Sequence, residues 1–217
     1  MIAGANRRIP ALAGALLLAL LLAGAIIAGL SRDAAPQAAA VADAPARPWA
    51  MRAGAFDPPH AAPEFSLSGS DGTPVTLARY RGKVVLLSFG FTYCATVCPT
   101  TLSTLAQARK GLREAADAVQ VVFVTVDPAR DDPAHMREYL AAFDRSFVGA
   151  TGTSDALAAV RTQYGVTAEK HGTGPDYVMT HTSSIFLIDR AGKLRAMMPF
   201  GHDPADFVHD VKLLLAE

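Results

Sequence analysis

KVVLLSFGFTYCATVCP, residues 83–99, decides the fold. Residues 83–91 form an apolar run without alternation, as in a strand covered on both faces of its sheet. A helix is expected over residues 99–114, because proline suits the first helical position. Between strand and helix stand Cys94 and Cys98, the only two cysteines in the chain. Buried strand, cysteine pair and helix, in that order, is the thioredoxin arrangement. The pair then occupies the carboxyl end of a strand, the edge at which open α/β sheets bind ligands.

Outward from this segment, strand and helix patterns alternate. Residues 64–67 and 75–77 flank Gly69-Ser70-Asp71-Gly72, which reads as a hairpin with a glycine-rich turn. VQVVFVTV, residues 119–126, is a second buried strand. Asp132-Pro133 opens a helix to about residue 143, and Ser154 is expected to cap another that ends near residue 164. SSIFLID, residues 183–189, is a strand that returns after Ala191-Gly192 over residues 194–199, and Asp203-Pro204 opens a last helix to residue 215. The order predicts an α/β domain of thioredoxin-like fold over residues 57–217, with a central mixed sheet flanked by helices.

The chain has 217 residues, 51% of them apolar, and a formal net charge of zero. No basic stripe marks a nucleic-acid partner. Residues 9–30, IPALAGALLLALLLAGAIIAGL, carry no charge. As a helix they would extend about 33 Å, enough for a hydrocarbon core of about 30 Å. Arg7 and Arg8 precede them, so residues 1–8 are expected in the cytoplasm, 9–30 as a single-pass inner-membrane anchor, and the rest in the periplasm. A cleaved signal peptide is the alternative, but the small residues at 38–42 lie well beyond the apolar run. Residues 31–56 read as a flexible Ala/Pro-rich linker, and the character persists to about residue 62, with little to bury apart from Trp49 and Phe56.

Two cysteines cannot build a four-thiolate zinc cage. A bridge between residues four apart closes a loop too short to stabilise much through chain entropy. A structural framework is therefore a poor purpose for the pair, whereas outside the cytoplasm a working disulfide can persist. Cys98, at or beside a helix N-terminus, is expected to have a lowered pKa, since free N–H groups and the helix dipole favour a thiolate. On a regular helix, residues four apart hold Cβ atoms about 5–6 Å apart, and a disulfide wants roughly 3.5–4.5 Å. Two metal–sulfur bonds of about 2.3 Å relax that demand. The spacing suits a site that alternates among dithiol, disulfide and metal-bound forms, with two buried structural thiols as the plain alternative. Soft thiolates select Cu(I) and would gain from a third ligand. Of six histidines, His181 is best placed. It precedes strand 183–189, whose start lies at the cysteine edge if it runs antiparallel to 83–91. A satisfied loop or core histidine is the competing reading. His60 in the linker, His135 and His209 on helices, and His171 and His202 in loops read as structural or solvated, and Met179, Met197 and Met198 as core. Asp127-Pro128-Ala129-Arg130-Asp131 follows the second buried strand at the same edge. It reads as a helix-entry turn with a local ion pair, or as a segment that shapes the site.

FGFTYCATVCPTTL (89–102), VDPARDDP (126–133), Thr151-Gly152 and HTSSIFLID (181–189) together resemble the Sco (SenC) family. These are thioredoxin-like copper chaperones for cytochrome c oxidase assembly, and the resemblance covers about residues 57–216. It implies that Cys94, Cys98 and His181 are ligands for copper, as Cu(I) or in the oxidised form Cu(II). Where the family commonly has His-Cys-Pro-Asp-x-Cys-Pro, this chain has Tyr93-Cys94-Ala95-Thr96-Val97-Cys98-Pro99, and Thr180 replaces a frequent Asp before the histidine. The departures leave all three ligands and put the tuning of the site in question. The expected function is a copper(I) metallochaperone for the Cu-A site of oxidase subunit II, held to the membrane by its N-terminal helix. Other periplasmic copper chaperones or thiol reductants are the further partners. The alternative is a thiol–disulfide oxidoreductase that reduces the acceptor's cysteines, which needs Cys94 and Cys98 as a redox-active pair but not His181. A peroxidase is a weaker third reading.

Overall fold

The computed structural model describes residues 50–217. The expected cytoplasmic segment, the 9–30 anchor, the 38–42 cleavage alternative, Trp49 and linker residues 31–49 lie outside them. Among the described residues no helix is long and apolar enough to cross a membrane.

The strands are β1 (Gly54–Ala61), β2 (Leu67–Gly69), β3 (Pro74–Val75), β4 (Val84–Gly90), β5 (Val119–Thr125), β6 (Val148–Thr151), β7 (Ala168–His171), β8 (Val178–His181), β9 (Ser184–Ile188) and β10 (Lys193–Pro199). The α-helices are α1 (Val97–Gly111), α2 (Pro133–Ala141), α3 (Ser154–Gln163) and α4 (Pro204–Leu215). Eight strands form one mixed sheet in the order β1-β10-β9-β4-β5-β6-β2-β3, and β7 with β8 forms a separate two-stranded sheet.

β4 and β5 are buried at every residue, which is why both read as continuous apolar runs. They pair in parallel, with α1 as the crossover, while β9 lies antiparallel on the other side of β4, with Ser88 opposite Ile185. β4 and β5 therefore end, and β9 begins, at one edge of the sheet. On α1, Cys98, Leu102, Leu105 and Ala108 form a buried stripe at helical spacing that faces the sheet. α4 packs beside α1 and buries Phe207, Val211 and Leu214. On the opposite face Tyr164, at the end of α3, packs its ring against Phe89 and Phe186 at 5.8 and 5.2 Å.

Several expectations need correction. α1 starts at Val97, so Pro99 is its third residue, and it stops at Gly111, with a 3₁₀ stretch Arg113–Ala118 beyond. The cap of α3 is Thr153, whose hydroxyl accepts from the Ala156 N–H at 3.2 Å, and Ser154 is already helical. β6, β7 and β8 are additional strands. The Ala/Pro-rich stretch read as burying little contributes β1, which pairs with β10 and shifts register between Ala55 and His60, around Pro58 and Pro59. Proline has no N–H to offer a further strand, so this outermost strand does not invite edge pairing. Phe56 packs on the core, with its ring 5.2 Å from that of His60. The helices expected to open at Asp132-Pro133 and Asp203-Pro204 do so; Asp132 accepts from the His135 N–H at 2.8 Å, whereas Asp203 makes no capping bond through its side chain.

The N-terminal end of β1 is clasped by α4. Asp210, with no exposed surface, accepts from the Arg52 N–H at 2.7 Å and the Ala53 N–H at 2.8 Å. Asp210→Ala strands both donors and should cost about 2–4 kcal/mol of unfolding free energy, read as a lower denaturant midpoint. Asp210→Asn, which keeps one acceptor, should lose less.

Candidate metal centre

The edge shared by β4, β5 and β9 carries the cysteines, and space dictates its first residue. A Cβ on Gly90 would lie 2.6 Å from the Phe123 ring and 2.9 Å from Cys98 Sγ, so only glycine lets the end of β4 meet α1 this closely. The next turn is fastened by Asp131, which is fully buried. It accepts from the Thr92 N–H at 3.1 Å, the Thr92 hydroxyl at 2.6 Å and the Thr125 hydroxyl at 2.6 Å. Burial holds the Asp131 pKa above the usual carboxylate range despite those bonds. The Thr92 hydrogen points to Asp131, so His135 Nε2, 2.9 Å from the same oxygen, is the donor in that pair.

Thr96, at the N-cap position of α1, makes no capping bond through its side chain. A sulfur takes that role: Cys94 Sγ accepts from the Cys98 N–H at 3.4 Å. Burial pushes the Cys94 thiol up, but hydrogen bonds from the Cys98, Thr96 and Val97 backbone and from the Cys98 thiol outweigh it. The net pKa is below that of an ordinary thiol. Cys98 is only 2% exposed, and burial drives its pKa far up; a backbone bond from Phe91 opposes this weakly, and the neighbouring Cys94 reinforces it. The expectation of a lowered pKa at Cys98 is thus inverted. Cys98 lies inside the first turn and faces the sheet, whereas Cys94 stands in front of the free N–H groups. Both thiols are free.

His181 reaches the same place from the other direction, as the last residue of β8. Its Nε2 is 3.5 Å from Cys98 Sγ. Its Nδ1 is 2.9 Å from the Thr182 carbonyl, which can only accept, so Nδ1 carries the proton and Nε2 offers a lone pair toward the sulfur. Burial lowers the His181 pKa against the opposing Thr182 bond, which favours the neutral imidazole. Phe91 packs edge-on to it at 5.9 Å. Ser88, Thr101, Ser183 and Ser184 join Cys98 and His181 around a small cavity, in which the buried Ser88 hydroxyl has no hydrogen-bond partner.

The edge therefore brings Cys98 against His181 and Cys94 against the backbone of Cys98. Among the described residues no group of three or more His, Cys, Asp or Glu side chains is gathered tightly enough to hold a metal ion as it stands. Of the other histidines, His60 lies in β1 and His171 ends β7, where its Nε2 meets the Thr180 hydroxyl at 2.9 Å. His202 pairs with Asp206 and His209 with Asp210. Met198 is core, and Met179 and Met197 pack on it. Gly90, Thr92 and His135 went unremarked in the sequence as supports of the site. The Asp-Pro-x-Arg-Asp run was the one signal, and it does form the expected ion pair, Arg130 Nε to Asp127 at 2.5 Å.

The family model described as SCO1/SenC matches residues 54–216. The mouse protein "SCO2 homolog, mitochondrial" is 38% identical over 136 residues, which cover 59% of this chain and 52% of the relative. This chain thus aligns with about half the length of that relative. Bradyrhizobium japonicum ScoI, solved with copper bound, superposes with a TM-score of 0.67 at 36% identity, covering 71% of this chain and 99% of that one. BsSco, described as a member of the Sco family of cytochrome c oxidase assembly proteins and as containing a disulfide switch, superposes with a TM-score of 0.61 at 25% identity over 75% of this chain and 98% of its own.

Two outcomes follow from the geometry. In the reduced protein, alkylation should fall on Cys94, with a rate that rises with pH through a midpoint below that of an ordinary thiol; Cys98 should stay unmodified until the protein unfolds. Peptide mass mapping across a pH series checks both. Gly90→Ala forces Phe123 and Cys98 aside and should destabilise the domain by about 1–3 kcal/mol, as measured by denaturant unfolding.

Proposed function

The chain belongs to the SCO1/SenC family, and from that premise we propose that it is a copper(I) metallochaperone whose ligands are Cys94, Cys98 and His181. The observation that carries this is the lone pair of His181 Nε2 held 3.5 Å from Cys98 Sγ by the Nδ1–Thr182 bond. Two sulfurs and one imidazole nitrogen are a soft donor set suited to Cu(I). The Thr182 carbonyl fixes the tautomer and ring orientation of His181, as a partner of the other ring nitrogen does for metal-ligating histidines. Cys94 completes the set by turning its sulfur from the α1 N-terminus toward Cys98 and His181. Because Cys98 is buried and its thiol hard to ionise, copper must displace its proton, so uptake releases protons and tightens as pH rises.

The cargo goes to the Cu-A site of oxidase subunit II, where acceptor thiolates replace these ligands one at a time. Residues 9–30 anchor the protein in the inner membrane, 31–49 tether it, and the domain works in the periplasm. Other copper chaperones or thiol reductants supply copper or electrons there.

The unequal thiols favour a second activity at the same site. Cys94 as thiolate attacks an acceptor disulfide, forming a mixed disulfide and releasing one acceptor thiolate. Cys98 loses its proton, attacks Cys94 Sγ and releases the second acceptor thiolate. Two electrons pass to the acceptor, and the chain is left with a Cys94–Cys98 disulfide. This reading needs a reduction potential below the acceptor's; about 30 mV is already about 1.4 kcal/mol.

Titration of the reduced protein with Cu(I) against a competing chelator tests the copper reading. The expected result is one equivalent bound, abolished in Cys94→Ser and Cys98→Ser and weakened about tenfold or more, about 1.4 kcal/mol, in His181→Ala. Unchanged affinity in His181→Ala rules out the three-ligand site.

A further inference from the structure

His181 does not stand on the main sheet. It ends a hairpin, β7–β8, that pairs with none of the eight strands and is mostly exposed, with Val178 at 58%. Something must fix this hairpin if Nε2 is to stay against Cys98. The fastening lies at Tyr177, only 9% exposed and immediately before β8. Its hydroxyl donates to Asp127 at 2.5 Å, and its carbonyl accepts from Arg130 Nη1 at 3.1 Å. The Arg130 guanidinium lies 3.7 Å from the centre of its ring, and Lys170 Nζ is also 3.7 Å from that ring centre.

Resting on the proposed role of His181, we propose that Arg130 is a positioning residue that latches the β7–β8 hairpin to the exit of β5 and so sets where His181 stands relative to Cys98.

Arg130 touches all three segments of the site. Its Nε bonds Asp127 beyond β5, its Nη1 bonds the hairpin backbone, and its guanidinium carbon lies 4.7 Å from the centre of the Tyr93 ring and 5.9 Å from that of the Phe91 ring on the cysteine loop. Phe91 in turn packs edge-on to His181. The expected helix-entry ion pair is therefore only one prong of a fork whose other prong spans 47 residues of sequence. From Tyr177 to His181 the chain is extended, about 13 Å at about 3.3 Å per residue. Holding the backbone at Tyr177 thus holds the position of the imidazole. The Arg130 side chain is 16% exposed and that of Asp127 4%, so the pair is not a solvent-screened surface bridge. Lysine could not make the same contacts, since the planar fork serves a carboxylate, a carbonyl and a ring face together.

The test uses the reduced full-length protein and the variants Arg130→Lys, Tyr177→Phe, His181→Ala and Arg130→Lys/His181→Ala. In the metal-free state, hydrogen–deuterium exchange of residues 168–181 should quicken about tenfold or more in Arg130→Lys, and less in Tyr177→Phe, while β4, β5 and β9 keep their protection. In chelator competition, Arg130→Lys should weaken Cu(I) binding about fivefold or more when His181 is present and have no further effect in His181→Ala. An unchanged hairpin exchange rate in Arg130→Lys overturns the latch, as does an equal loss of affinity with and without His181. Exchange that quickens evenly through the sheet also overturns it, since that marks general destabilisation. If the wild-type chain bound no Cu(I), the copper reading would fail on its own, and the exchange arm would still decide the latch.

Discussion

The approach of α1 to the end of β4 is the constraint from which the site follows. The absence of a side chain at Gly90 lets the helix start against Phe123 and puts Cys98 Sγ over the strand end. The first turn of that helix then needs acceptors for its free N–H groups. Thr96 provides none through its side chain, and Cys94 Sγ does. One steric fact therefore places one sulfur in the interior, and one hydrogen-bonding need places the other at the surface of the turn. Asp131 secures the turn that leads into Cys94, through Thr92 and Thr125.

Two thiols of the same kind thus acquire opposite characters through position alone. Cys94 gains ionised character from backbone donors, and Cys98 loses it through burial. A neutral Cys98 holds one proton and has two acceptors near it, Cys94 Sγ and His181 Nε2. Copper binding and the resolving step of disulfide exchange both require the loss of that proton, so the two proposed activities share this requirement and differ in whether His181 matters.

The legible parts of the fold were those buried on both faces. β4 and β5 announce themselves as unbroken apolar runs, and β9 follows with SIFLI. β6 was missed because Val148–Thr151 is four residues long and contains glycine. β7 and β8 were missed because AEKH and VMTH carry no buried face. The start of α1 was misplaced by two residues because Pro99 was given the first helical position, while the sulfur that caps the helix has no ordinary capping signature. The inversion of the thiols was hidden because position near a helix end says nothing about which side chain is buried. Cys94, Cys98 and His181 could be singled out because two buried strands of opposite direction bring them to one edge. Arg130 and Tyr177 meet across a stretch with no sequence pattern linking them, so their contact emerges only in three dimensions.

The clasp at Asp210 has a mechanical meaning. β1 enters the sheet at the end that carries the cysteines, since Gly54 pairs with Met197 and Ala61 with Lys193. Tension arriving along the backbone at Arg52 would unzip β1 from β10 starting beside the site. Asp210 instead diverts that load into α4, which is packed along α1. A pull on the backbone at Arg52 therefore falls on a side chain of α4 before it reaches the β1–β10 ladder.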